Sequence, residues 1–166
     1  MRLYLGVDPG KSGGMGIIDG RGKAMNHFKF GSATERDIFE FITRNYPAGE
    51  TEIAFAWLEQ VNAMPNPMTG KGMGVSSAFK FGDAYGFIRG ILVASQIPFD
   101  RKTPRTWQKV LGIPKRGKNE STTQFKNRTK QKAQELFPTE KMTHAIADAY
   151  LIAEACRRSR TERVRL

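Results

Sequence analysis

The alternation of apolar and polar positions divides the chain into short elements. Residues 2–7, Arg-Leu-Tyr-Leu-Gly-Val, form an apolar run that predicts a first strand. A glycine-rich turn follows, and Met15 to Asp19 predicts a second strand. Asp19-Gly20-Arg21-Gly22 has the composition of a hairpin turn and leads into a third strand over Lys23 to Phe28. From Thr34 to Asn45, Ile38, Phe39, Phe41 and Ile42 recur at helical spacing. Glu52 to Leu58 is apolar almost throughout, as suits a central strand buried on both faces. Residues 62–75 are a loop rich in Pro, Gly and Met. Ser76 to Ser95 predicts a long helix, in which Gly82, Gly86 and Gly90 fall every fourth residue. That spacing predicts close packing of the helix on the sheet. A membrane dimer motif is excluded by Lys80, Asp83 and Arg89.

Ile97-Pro98-Phe99 predicts a fifth strand, and Thr103-Pro104 opens a short helix with Thr103 as its cap. Residues 112–119 are a basic loop. Ser121 to Phe137 is a polar helix stopped by Pro138, and Thr143 to about Arg158 is the last helix. The pattern predicts one α/β domain over residues 1–158: a mixed five-stranded sheet, three antiparallel strands and then parallel ones, flanked by helices. Residues 159–166 are expected to be a basic, frayed tail.

Charge narrows the choice of partner. Lys and Arg number 27 against 16 Asp and Glu, a net charge of +11, which favours a polyanion. Nucleic acid comes first and an anionic membrane surface second. Cys156 is the one cysteine, which excludes an internal disulfide and a cysteine-rich zinc cluster. No run approaches the ~20 apolar residues of a membrane span, and the N-terminus lacks a signal-peptide stretch. A cytoplasmic location is expected.

Three carboxylates stand out against this background. Asp8 ends the first strand, Glu59 ends the fourth, and Asp148 sits between Ala147 and Ala149 in the last helix. A carboxylate in or beside a core element costs several kcal/mol unless paired or metal-bound. Singly, Asp8 can cap a glycine turn and Glu59 can pair with an arginine. As a set on a basic chain they point to divalent metal acting on a phosphate backbone. Two Mg²⁺ ions roughly 4 Å apart can activate a water and neutralise a leaving oxygen, and Mg²⁺ needs few protein ligands. His144 precedes Asp148 by four residues and shares its helix face, as a ligand, a proton shuttle or a leaving-group acid. The Asp8-Pro9-Gly10-Lys11-Ser12 segment lacks the spacing of a Walker A loop.

Leu5-Gly6-Val7-Asp8-Pro9-Gly10, Leu58-Glu59-Gln60-Val61 and Ala147-Asp148-Ala149 together resemble the RuvC family of Holliday-junction resolvases. Phage-encoded members are the most similar, through the Pro-x-x-Trp-Gln segment at Pro104 to Gln108 and the helix ending in Leu136-Phe137-Pro138. The resemblance implies a ribonuclease H-like fold, a homodimer, and nicking of branched DNA, four-way junctions above all, with Mg²⁺ or Mn²⁺. It implies Asp8, Glu59 and Asp148 as metal ligands. The chain departs from the family at Ala145, where a fourth Asp or His is usual, and His144 is the nearest substitute. It departs again at Asn62, where an aromatic is usual.

Candidate phosphate contacts are Lys71, Lys80, Arg101, Lys102, Arg105, Lys115, Arg116, Lys118, Lys126, Arg128 and Lys130, with Lys115, Arg116 and Lys118 favoured because they cluster on the Gly/Pro loop. Met64, Met68 and Met73 are candidates for a wedge between bases, a dimer contact or loop filler. The helix over 76–95 is the candidate dimer interface. The alternatives are an RNA-cleaving enzyme of the same superfamily and a non-catalytic nucleic-acid binder. The first differs in substrate, and the second predicts no cleavage with any metal.

Overall fold

The apolar run near the N-terminus becomes the middle strand of a five-stranded sheet. In the computed structural model, which describes residues 1–44, 52–60 and 74–163, the order of elements is β1 (Arg2–Asp8), β2 (Gly14–Asp19), β3 (Ala24–Lys29), α1 (Glu35–Arg44), β4 (Glu52–Glu59), α2 (Val75–Ala94), β5 (Phe99–Lys102), α3 (Pro104–Val110), α4 (Thr122–Leu136) and α5 (His144–Arg163). The sheet runs β3-β2-β1-β4-β5. β1–β2 and β2–β3 are antiparallel, while β1–β4 and β4–β5 are parallel, as the sequence predicts.

The period-2 alternation of β1 decides what each face meets. Leu3, Leu5 and Val7 point into a core that also holds Phe41 and Ile42 of α1 and Ile88, Ile91 and Leu92 of α2. Tyr4 points the other way, into a core with Trp107 of α3, Ala133 of α4 and Ile146, Ala147 and Tyr150 of α5. Gly6 and Asp8 share the parity of Tyr4, so both lie on the α5 side. On β4, Ala56 and Leu58 join the first core and Trp57 the second. Glu59 shares the parity of Trp57 and faces the same way.

Gly6 is where strand and helix touch most closely. A Cβ placed there would run into the Ala149 carbonyl oxygen and the Ala153 nitrogen of α5, and one at Gly16 of β2 would meet the backbone nitrogen of Tyr150 at 2.9 Å. At Gly6 all the obstructing atoms are backbone, so no side-chain rotation relieves the clash. Gly6→Ala is therefore expected to cost about 2–3 kcal/mol or more, read as a lower urea midpoint at unchanged m-value. A midpoint within experimental error of the wild type would contradict direct backbone contact between β1 and α5.

Three sequence expectations are corrected. The fifth strand is Phe99–Lys102, not residues 97–99. The Ile97 N–H bonds back to the Leu92 carbonyl (2.9 Å), closing the end of α2. Among the described residues the strand pairs only with β4, so Asp100-Arg101-Lys102 need not be apolar. The glycine stripe of α2 does not pack on the sheet: a Cβ at Gly82, Gly86 or Gly90 would meet nothing within 4 Å among the described residues. The helix instead uses Ile88, Ile91 and Leu92 for the core and leaves Val75, Phe79 and Val93 exposed at 87%, 75% and 67%. Finally, α5 runs to Arg163, beyond the expected end near Arg158. Buried Glu154 accepts from Arg157 and Arg158 at 2.7 Å each, and the Arg160 guanidinium lies 3.3 Å from the Phe55 ring centroid. Those contacts hold the added turns. Among the described residues no helix is long and apolar enough to cross a membrane.

Candidate metal centre and nucleic-acid surface

β1 and β4 are parallel neighbours, so their C-terminal ends emerge on the same edge of the sheet. Asp8 and Glu59 are their last residues. Helix α5 crosses behind, pinned at Ala149 and Ala153, and delivers Asp148 to the same edge. The three carboxylates sense one another. Burial is the first cause pushing Glu59 up, to about 8, and the charge of Asp8 is the second, with Asp148 adding to it. Asp148 is raised to about 6, by burial first and by Asp8 second. Asp8 is raised by burial, against an opposing hydrogen bond from the Gly10 N–H (3.1 Å) and the nearby Lys126 charge. Asp8 is thus the common neighbour, coupled to both others. Its turn-capping bond and its place in the cluster coexist.

A pocket of about 240 Å³ opens beside this edge, lined by Asp8, Ser12, Lys126, Thr129, His144, Ala145, Ala147 and Asp148. His144 stands exposed at its rim, with Nε2 3.0 Å from the Asn127 side-chain oxygen. An amide oxygen only accepts, so Nε2 is the donor in this bond. Glu59 does not line the pocket. Its Oε2 accepts a hydrogen bond from the Trp107 indole at 2.8 Å.

The residues fit a divalent cation on one observation in particular. Asp148 Oδ1 is buried and meets no hydrogen-bond partner among the described residues. A Thr129 hydroxyl hydrogen bond to this carboxylate opposes its upward shift, while the same hydroxyl lies 3.0 Å from the Lys126 carbonyl, and Oδ1 itself stays unpartnered. A buried carboxylate oxygen without a donor is costly, and a hard cation is the partner that oxygen suits best. Among the described residues no three His, Cys, Asp or Glu side chains converge tightly enough to enclose a single ion. Mg²⁺ does not require that, because it retains water and takes one or two carboxylates per ion.

Of the predicted phosphate contacts, Lys115, Arg116 and Lys118 share an exposed loop that is firmly built. Arg128 of α4 spans it, donating to both Glu120 oxygens at 2.9 Å and to the Pro114 and Lys115 carbonyls at 3.3 and 3.4 Å. Glu120 in turn accepts the Gly117 N–H at 3.0 Å. Lys80 on α2 and Arg105 on α3 are exposed and do not line the pocket. Lys71, Met64, Met68, Met73 and Asn62 lie outside the described residues.

The sequence reading passed over Ser12 and Thr129 as site residues and did not separate Lys126 from the other lysines of α4. Nor did it connect Trp107 with Glu59.

The sheet order, its mixed directions and the helices on both faces make this a ribonuclease H-like fold. Two solved structures share it: Thermus thermophilus RuvC in complex with a Holliday junction substrate, at a TM-score of 0.62, and Thermus thermophilus RuvC by itself, at 0.60. Each is 15% identical to the chain, with 96% of both chains covered. No protein-family model and no curated protein sequence matches.

Proposed function

We propose that the protein is a metal-dependent, structure-selective DNA endonuclease that nicks four-way junctions. The observation that carries the reading is the trio of half-buried, mutually coupled carboxylates at one sheet edge, in a chain of net charge +11. Its fold likeness to a resolvase bound to its junction supports the choice of substrate. Asp8, Glu59 and Asp148 would hold Mg²⁺ or Mn²⁺, two ions in all. Bound there, the metal would supply an activated water and neutralise the leaving oxygen.

The remaining parts belong to the chain. Lys126 brings a positive charge to the pocket beside Asp8 and Asp148, where a scissile phosphate would sit. His144 is placed to take or give a proton at the pocket rim. The two cuts of a junction are related by a two-fold axis, and a homodimer matches that symmetry. The exposed face of α2, with Phe79 and the open glycine stripe, is the proposed contact.

The direct test is a labelled four-way junction beside a matched linear duplex, with Mg²⁺ or with EDTA. Paired, metal-dependent nicks in the junction alone support the reading. Cleavage of RNA instead, or tight binding without any cutting, would overturn it.

The basic loop gives a separate expectation. Replacing Lys115, Arg116 and Lys118 together with Ala should reduce the slope of log K against log salt for junction binding by roughly 2 to 3. Their side chains are exposed, so circular dichroism should not change. An unchanged slope would remove the loop from the interface.

A further inference from the structure

Within that reading of the site, we infer that Trp107 is a positioning residue, whose indole N–H fixes one oxygen of Glu59 so that the other is presented to a divalent cation. The two residues lie 48 positions apart, on α3 and β4, and Nε1 donates to Oε2 at 2.8 Å. Trp107 is 2% exposed, wedged in the core with Leu111, Ile113 and Tyr150. Its ring cannot swing away without opening that core. The indole nitrogen is a donor only, so it can serve a carboxylate oxygen and cannot itself ligate a metal. Glutamate has three side-chain torsions, and a carboxylate left untied would sample several rotamers. The tie holds it in one.

Trp57 is the internal contrast. It is buried to the same degree, at 3% exposed, and belongs to the same core. Its Nε1 meets no hydrogen-bond partner among the described residues. Burying an indole in this core therefore does not by itself require the bond that Trp107 makes. The Pro-x-x-Trp-Gln segment also acquires a purpose. Pro104 starts α3, and Trp107 follows one turn later on its buried side.

The test is a titration of Mn²⁺, followed by electron paramagnetic resonance of the free ion, into the wild type and the W107F, W57F and E59Q proteins. Both Phe variants remove an indole from one core, and only W107F removes a bond to Glu59. W107F is expected to weaken Mn²⁺ binding by about 10- to 100-fold, the usual loss when a group orienting a metal ligand is removed. W57F should stay within about 2-fold of the wild type, because no bond to a ligand is lost. W107F binding as tightly as the wild type, with E59Q weakened, overturns this inference and leaves the carboxylate site standing. E59Q binding as tightly as the wild type, or no binding by the wild type, overturns both.

A nuclear magnetic resonance measurement covers the case in which W107F fails to fold. The chain has two tryptophans, hence two indole N–H resonances, which W57F assigns. The Trp107 resonance should move in E59Q and on adding Mg²⁺ to the wild type. A Trp107 resonance unmoved by E59Q overturns the inference.

Discussion

Asp148→Asn should reduce metal-dependent junction nicking by about a thousandfold or more while leaving junction binding intact. The substitution keeps the side chain's shape and removes its charge. In the folded protein that charge sits buried beside Asp8, with Oδ1 unpartnered among the described residues. Removing it relieves repulsion, so the metal-free variant should melt no lower than the wild type. Binding should hold or tighten, because one negative charge facing the phosphate backbone has gone. The combination of lost cutting, kept binding and kept stability separates a catalytic carboxylate from a structural one. A variant that nicks at the wild-type rate would place the chemistry elsewhere.

The second large effect is on stability. The ordinary pKa values of Asp148 and Glu59 are 3.8 and 4.5, whereas in the fold they are raised to about 6 and about 8. Between those limits the folded protein holds protons that the unfolded chain has released. Stability is therefore fully present below about pH 4 and is lost as pH rises through about 6 and then about 8. Each tenfold difference in proton affinity is worth about 1.4 kcal/mol, so the loss amounts to a few kcal/mol, on the order of 10 °C in Tm. Saturating Mg²⁺ should restore most of it, since the ion binds only the folded arrangement. Scanning calorimetry of the metal-free protein from pH 5 to 8.5, beside Glu59→Gln, checks both parts. The variant should lose the upper part of the slope. A Tm that rises with pH in the wild type, or that ignores Mg²⁺, would contradict the account.

Much of the fold and part of the site were legible in the sequence, for identifiable reasons. β1 and β4 announce themselves because strands covered on both faces must be apolar. Asp8 and Glu59 stand out because each ends such a run, and Asp148 because its neighbours are small and apolar. The fifth strand was misplaced because an edge strand carries no such obligation, and Asp100-Arg101-Lys102 looks like a loop. The glycines of α2 were assigned to the sheet because spacing reports a face but not what that face meets. Lys126 counted as one basic candidate among many, since only the approach of α4 to α5 singles it out. Trp107 and Glu59 are joined by a tertiary contact that no local pattern encodes.

The contact at Gly6 and Gly16 has a bearing on how this site can vary. At Gly6, helix α5 rests directly on the main chain of β1, with no side chain between them. Swapping one core residue for another cannot shim that joint, so the offset between Asp8 and Asp148 is a property of two backbones. Under random mutagenesis the two faces of the sheet should tolerate change very differently. The α1 and α2 side, filled by Leu, Ile and Phe, has room for compensating exchanges. The α5 side has none at Gly6, and a lineage that alters that position must move the helix and the site together.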